Sequence, residues 1–259
     1  MSESARWASD NEAGTQCYEQ GHYAEAERHF LAALQEVEKF GQHDTRLAIV
    51  LNNLANLYHT QGRYAETEPL YQRALAIREE ILGPHHPIVA QSLNNLAALY
   101  RDQGHYAAAE PLFLRSLAIK EKTLGLWHLS VTNSLNNLAA LYRAQGRYTE
   151  AESLCQRSLA IREKILGPQH PAVATSLSGL AELYYAWGKY TEADLLYRRS
   201  LAIREKALGA EHPAVATTLE NYAALLRKMN READAAALET RAQALRAKHA
   251  QENPAKRNV

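Results

Sequence analysis

A repeat of 42 residues runs through most of this 259-residue chain and restricts its fold more than any other feature. The ten residues Ser92–Arg101 recur letter for letter as Ser134–Arg143, and looser copies begin at Ser176 and Thr218. A period of this length is typical of chains that stack one small unit on the next, because a single unit cannot cover its own apolar face. Glycines mark the same place in successive repeats: Gly62, Gly104, Gly146 and Gly188.

Each repeat contains two amphipathic stretches, which we call helix A and helix B. In the fourth repeat Val131, Leu135 and Leu138 follow the spacing of a helix that buries one face. The turn at Gly146 separates this helix A from a second apolar stripe, which ends at Gly167. A glycine directly after the last apolar residue predicts the end of helix B, since glycine enters the left-handed conformation without strain.

Histidine and proline indicate where the A helices begin. Three repeats contain a His-Pro pair at this place: His86–Pro87, His170–Pro171 and His212–Pro213. Proline suits the first helical position because it has no N–H to leave unpaired there. We expect these histidines, and His128 at the equivalent place, to cap helices and not to bind a metal, because histidines a whole repeat apart cannot share one ion.

The fold class follows from these helices. No segment alternates with period two, so the sequence predicts an all-α protein, a right-handed superhelix of stacked helix pairs. We expect the two end repeats to act as caps and residues 251–259 to form a polar tail. A single solenoid is predicted over residues 1–250, with six repeats at approximately 4–45, 46–87, 88–129, 130–171, 172–213 and 214–250.

The pattern of helix A and the Gly-x-Tyr-x-x-Ala entry to helix B, as in Gly146–Ala151, resemble the tetratricopeptide repeat. The 42-residue period and the Leu-Gly-x-x-His-Pro junctions resemble the kinesin light chain type of this repeat. The resemblance implies a protein-binding scaffold without catalysis, whose A helices line a concave groove for an extended peptide or a partner's helix. A small residue also recurs at the close-packing place of helix A: Gly14, Ala55, Ala97, Ala139, Ala181 and Ala223.

One row of amides is predicted to line this groove. At 100° per residue, Asn137 points away from the apolar stripe of its helix, and Gly179 interrupts the row in the fifth repeat. The resemblance implies that this position bonds the ligand, and a primary amide both donates and accepts hydrogen bonds. The alternative is that the amides bond a neighbouring helix and fix the repeat geometry. The predicted groove amides are Asn53, Asn95, Asn137 and Asn221, joined by Gln91 and Asn133.

A flanking position of helix A carries Arg101, Arg143 and Arg227, and Tyr185 in the fifth repeat. Guanidinium groups beside amides favour a ligand with carboxylates. The alternative is a solvated face paired with acidic neighbours such as Asp102.

Two further features of the B helices and the fifth repeat carry predictions. In the fifth repeat, a shallow apolar pocket for a ligand side chain is predicted at Gly179, Tyr185 and Trp187. The alternative is that Trp187 covers the helix turn. Four basic residues of the B helices are each followed by Glu, which predicts a solvated face. They are Arg78, Lys120, Arg162 and Arg204.

Composition excludes several function classes. Lys plus Arg and Asp plus Glu both number 29, so no net field attracts nucleic acid. Cys17 and Cys155 lie far apart without a zinc motif. With no apolar leader and no long apolar stretch, we expect a cytoplasmic protein without membrane insertion. No catalytic, cofactor or metal signature occurs, so we expect no enzyme, no cofactor and no metal.

The sequence therefore predicts a scaffold that binds an extended, acidic peptide segment of another protein, as a monomer or with weak self-association. Two alternatives stay open. A self-assembling structural protein would use its end repeats or convex face and have no peptide ligand. A helical-repeat nucleic-acid binder is less favoured, because the groove residues of the third and fourth repeats are nearly identical and encode little.

Overall fold

The computed structural model describes residues 3–252, and every regular element in that range is an α-helix. Consecutive helices pack as pairs, which confirms the predicted all-α fold built from repeated helix pairs. Odd-numbered helices are the A helices and even-numbered ones the B helices. They are α1 (Glu3–Glu19), α2 (Tyr23–Glu38), α3 (Thr45–Thr60), α4 (Tyr64–Leu82), α5 (Pro87–Asp102), α6 (Tyr106–Leu124), α7 (Leu129–Ala144), α8 (Tyr148–Leu166), α9 (Pro171–Trp187), α10 (Tyr190–Leu208), α11 (Pro213–Lys228) and α12 (Glu232–Glu252).

The chain divides into two compact halves, each of three helix pairs. The N-terminal half ends at Leu126 and contains α1 to α6, and the C-terminal half begins at Trp127 and contains α7 to α12. Helix α12 extends through Glu252, two residues into the segment predicted as a tail. The remainder of that predicted tail, residues 253–259, lies outside the described residues.

The predicted helix boundaries have a visible cause in the capping groups. At the start of α9 the Nδ1 atom of His170 accepts the backbone N–H of Ala172 at 3.1 Å. The same bond at 3.1 to 3.2 Å begins α5, α7 and α11, so the capping role of the four histidines is confirmed. Asp44 replaces histidine before α3 and accepts from the N–H of Arg46 at 2.8 Å.

The ends of the B helices also follow the sequence. Gly167 ends α8 with a φ of 85°, in the left-handed region that glycine favours. The last turn from an A helix to a B helix contains Asn230 in place of the repeated glycine, with a φ of 57°. Asparagine tolerates this conformation better than most residues, which explains why the repeat continues without the glycine.

The core of each half is shared between successive repeats. In the N-terminal half one cluster joins Val37 of α2, Leu47 and Leu51 of α3, and Ala74 of α4. In the C-terminal half an equivalent cluster joins Leu177 of α9 with side chains of α8 and α10. Within each half, α3, α5, α9 and α11 thus pack against the helix B before them as well as against their own partners, because burial of apolar surface is the main favourable term in folding.

The basic residues of the B helices do not form the solvated face that their alternation with Glu predicted. Arg78 is only 8% exposed, and its Nη1 donates to Ser92 Oγ of the next helix A at 2.6 Å. Arg162 makes the same bond to Ser176 at 2.6 Å. The prediction was wrong because this side of α4, α8 and α10 lies against the start of the next helix A. Burial lowers the pKa of all four side chains: Arg78, Lys120, Arg162 and Arg204.

A second set of links between repeats joins a tyrosine of helix A to an acid of the preceding helix B. The Tyr58 hydroxyl donates to Glu27 at 2.9 Å, and the Tyr184 hydroxyl donates to Glu152 at 2.5 Å. Burial, with the bonded carboxylate as the second cause, raises the pKa of both tyrosines to about 12. The same link joins Tyr100 to Glu68 and Tyr222 to Asp194.

Candidate peptide-binding surface

The A helices of the N-terminal half place amides of successive repeats in hydrogen-bonding contact. Asn53 of α3 donates through Nδ2 to Oδ1 of Asn11 in α1 at 3.0 Å. Asn95 of α5 donates in the same way to Oδ1 of Asn52 in α3 at 3.1 Å. Asn53 and Asn95 are both half-buried. Each bond uses one N–H of the donating amide, which leaves a second N–H and a carbonyl oxygen for a ligand.

The corresponding surface of the C-terminal half is built differently. Asn221 of α11 donates to Oε1 of Glu182 in α9 at 3.1 Å, and Arg143 of α7 lies 3.6 Å from the other carboxylate oxygen. These three residues form a polar bridge across three A helices. Asn137, half-buried on α7, makes no side-chain hydrogen bond to another residue of the described part of the chain.

Two recesses adjoin the polar bridge, and both border all three of its residues. The first, which we call the glycine cavity, has a volume of about 300 Å³ and lies beside Gly179. The second has a volume of about 360 Å³, and Tyr185 and Tyr197 line its wall. Three residues predicted from the sequence therefore come together in this half: Arg143, Tyr185 and Asn221.

Gly179 borders open space in the wall of the glycine cavity. A Cβ atom added at this position would meet no other atom within 4 Å. Asn95 or Asn53 stands at the equivalent position of the N-terminal half and bonds a neighbouring helix. The absence of a side chain at Gly179 thus interrupts the amide row and leaves a space that a ligand group can enter.

Each predicted groove arginine is already paired with a carboxylate. Arg101 lies 2.8 Å from Asp102, and Arg227 lies 2.7 Å from Glu239. The hydrogen bond to Glu239 is the largest cause of the raised pKa of Arg227. These contacts agree with the alternative interpretation, in which the arginines lie on a solvated face and pair with acidic neighbours. Exposed pairs of this kind contribute little to stability, so an acidic ligand can exchange with the chain's own carboxylate.

The remaining predicted residues lie at other places. Gln91 is exposed on α5 and Asn133 is exposed on α7. Trp187 stacks on Tyr148, with ring centroids 5.7 Å apart, and borders neither recess. Its position at the end of α9 agrees with the interpretation that Trp187 covers the helix turn.

Sequence reasoning missed Glu182, the centre of the polar bridge. The equivalent position is alanine in the third, fourth and sixth repeats, so a single acid at an otherwise apolar place was the available signal. The repeat pattern does not reveal Glu182, because that pattern consists of the residues that recur.

Comparison with known proteins identifies the family. A model of the tetratricopeptide repeat matches residues 46–122, 130–206 and 196–248. The chain belongs to the tetratricopeptide repeat family. Members of this family are typically scaffolds for protein–protein interaction and are typically not enzymes. A comparison with curated protein sequences found no significant match.

Solved structures place the chain near kinesin light chain-like repeats. A kinesin light chain-like protein of P. anserina with nearly identical TPR-like repeats is 31% identical, with a TM-score of 0.67, and the match covers 79% of this chain and 97% of that one. BtubC from P. vanneervenii is 22% identical, with a TM-score of 0.69 and coverage of 96% and 92%. A Rap protein complexed with Competence and Sporulation Factor is 16% identical, with a TM-score of 0.65 and coverage of 95% and 76%.

None of the described helices combines the length and the apolar character that crossing a membrane requires. Within the described residues, no three His, Cys, Asp or Glu side chains come close enough together to hold a metal ion.

Proposed function

We propose that this protein is a cytoplasmic scaffold whose A helices hold an extended, acidic segment of a partner protein. The observation that carries the proposal is the pair of recesses beside the Arg143–Glu182–Asn221 bridge, because it combines free volume with polar groups from three A helices. Binding sites are typically concave and carry a few well-placed polar groups of this kind.

The amides of the A helices supply the sequence-independent part of this binding. An extended backbone offers alternating N–H and C=O groups, and the unused N–H and carbonyl of Asn53 and Asn95 match them. Each such bond contributes only about 0.5–1.5 kcal/mol net. Affinity therefore depends on several amides acting together and not on one residue.

The preference for an acidic segment rests on the groove arginines. Arg101, Arg143 and Arg227 face carboxylates of the chain, so their surroundings already accommodate a carboxylate. A partner carboxylate that replaces an exposed internal one keeps the guanidinium paired. The Rap structure with its bound factor is an example of the same fold in a complex.

A capture experiment tests the proposal. Wild type and the quadruple variant Asn53→Ala, Asn95→Ala, Asn137→Ala and Asn221→Ala are used to recover partners from a lysate, with mass spectrometry as the readout. Gln35→Ala is the matched control, because this exposed amide lies on the B helix α2. We expect the quadruple variant to lose partners that the control retains. Equal recovery by folded wild type and folded quadruple variant contradicts the proposal.

Self-association is a second candidate, favoured by exposed apolar side chains on the B helices. Leu195 on α10 is 64% exposed and Leu114 on α6 is 44% exposed. Light scattering over a range of concentrations tests it: growth in mass that Leu195→Ser abolishes supports self-association, and a constant monomer mass excludes it.

A further inference from the structure

The glycine cavity contains a cation that has no carboxylate partner. Arg204 of α10 donates through Nη1 to the carbonyl oxygen of Ala214, at 3.1 Å, and to the hydroxyl of Thr218. Among the side chains described, residues 6–251, no carboxylate oxygen lies within 4 Å of its guanidinium. A guanidinium has five N–H donors, so the Nε and Nη2 donors of Arg204 are left without a partner in that range.

The surroundings of Arg204 are unfavourable for a lone positive charge. Its side chain is half-buried, and this burial lowers the pKa of the guanidinium, with the Glu182 charge acting as a smaller cause in the opposite direction. A buried charge is stabilised when an opposite charge and hydrogen bonds accompany it. The wall of the glycine cavity adds further hydrogen-bonding groups, the side chains of Asn136, Thr175 and Thr217.

The one carboxylate in the cavity wall is already engaged. Glu182 accepts from Asn221 at 3.1 Å and lies 3.6 Å from Arg143. With Arg143 and Arg204 both bordering the cavity, the three charged side chains sum to one positive charge. An entering anion therefore finds a guanidinium without a carboxylate contact, whereas the carboxylate of Glu182 is already engaged.

We propose that the glycine cavity binds a carboxylate group, with Arg204 as its counter-ion. The volume of about 300 Å³ accommodates an acidic side chain or a small dicarboxylate, and Gly179 leaves the entrance open. Arg204 offers two N–H groups to one carboxylate, which is the geometry that guanidinium groups favour. If the carboxylate belongs to a bound peptide segment, this inference rests on the proposed function. It then assigns the glycine cavity as the binding place of an acidic residue of that segment.

Two variants separate this role from a structural one. Arg162→Gln is the matched control for Arg204→Gln, because Arg162 makes the same bonds to the next helix, to Ala172 and Ser176, and does not border the cavity. Gly179→Asn keeps Arg204 and fills the entrance with the side chain that other repeats carry. The open space beside Gly179 makes this second variant compatible with folding.

Cys155 supplies a reporter, because it lies in the cavity wall. Burial raises the pKa of its thiol to about 11, so labelling by a maleimide is slow and any protection by a ligand is measurable. The experiment uses the full chain with Cys17→Ser. The probes are succinate, a capped peptide that contains glutamate, and the same peptide with glutamine.

The expected result is that succinate or the glutamate peptide slows labelling of Cys155, and that the glutamine peptide does not. Protection by succinate alone assigns the site to free dicarboxylates, and protection by the peptide alone assigns it to a bound segment. We expect Arg204→Gln to weaken binding about tenfold or more, Gly179→Asn to abolish it, and Arg162→Gln to leave it unchanged. Glu182→Gln should strengthen binding, because it removes the negative charge beside the ligand.

The signs of these changes make the inference falsifiable. No protection by either carboxylate probe overturns it, as does equal weakening by Arg204→Gln and Arg162→Gln. Weaker binding in Glu182→Gln points to a cationic ligand and also overturns it. Failure here is distinguishable from failure of the proposed function: a partner that the wild type captures and the amide variant loses supports the proposed function even if Cys155 is never protected.

Discussion

The A helices of the two halves show the same repeat with two different surfaces. In the N-terminal half Asn53 and Asn95 bond amides of the preceding A helix. In the C-terminal half Gly179 stands where other repeats carry asparagine, and Glu182 stands where most other repeats carry alanine. Two recesses adjoin the polar bridge in this half. A stacked repeat offers nearly the same backbone at each step, so a change at these two positions alters the surface that the A helices present to a ligand.

The largest expected effect tests what both halves share, the link between a tyrosine and the preceding helix B. Tyr58 in one half and Tyr184 in the other have a pKa of about 12, above the ordinary value of 10. A pKa that is higher in the folded state stabilises the protein fully below pH 10, and this stabilisation is lost as the pH rises through 12, about 2–3 kcal/mol for each tyrosine. Absorbance at 295 nm should show both tyrosines ionising late, and Tyr58→Phe and Tyr184→Phe should each remove one late step.

A normal tyrosine titration in folded protein would contradict these links. If only one of Tyr58 and Tyr184 ionises late, the links between repeats differ between the two halves, as the A-helix surfaces do.

The next effect compares the buried arginine of the N-terminal half with its equivalent in the C-terminal half. Ser92→Ala removes the hydroxyl to which the buried Arg78 guanidinium donates and should lower the free energy of unfolding by about 1–3 kcal/mol. Ser176→Ala should have a smaller effect, because Arg162 also donates to the carbonyl of Ala172. Urea denaturation of both variants checks the order, and equal losses would remove the distinction.

Gly14 and Gly179 lie inside A helices of different halves and should respond to alanine in opposite ways. A Cβ atom at Gly14 would lie 2.7 Å from the ring of Phe30, so Gly14→Ala should destabilise the protein by about 1–2 kcal/mol. Thermal unfolding monitored by circular dichroism measures this loss. A stable Gly14→Ala would show that the ring of Phe30 moves aside readily.

The smallest effect is at Gly179, where an added methyl group meets no atom within 4 Å. Glycine within a helix is unfavourable relative to alanine, so Gly179→Ala should raise the free energy of unfolding by about 0.5–1 kcal/mol. Urea denaturation of the variant and the wild type measures this increase. A decrease instead would mean that the space beside Gly179 is filled in solution.

Much of the fold was predictable because its causes are local. The apolar spacing of the A helices, the glycine at the end of α8 and the capping histidines act within a few residues, and the structure confirms all three. The burial of Arg78 was not predictable from alternation of charge, because the next repeat and not its own helix covers it. The tyrosine links were missed for the same reason, although three of their acids, Glu68, Glu152 and Asp194, stand at the same place of their repeats.

The candidate site was predictable only in part. Helical angles place Asn53, Asn95 and Asn221 away from the stripe of their own helix, and the structure finds each bonded to another A helix. Those partners lie about one repeat away, and the angle along one helix contains no information about them. Binding by these residues therefore stays a prediction.

Hydrogen exchange of the complex with a captured partner tests the central claim most directly. Peptides of the protein are compared by mass spectrometry with and without that partner. The account predicts slower exchange in the A helices, above all in α9 and α11 beside the two recesses, and unchanged exchange in α12, which borders neither recess. Slower exchange confined to the B helices would contradict it.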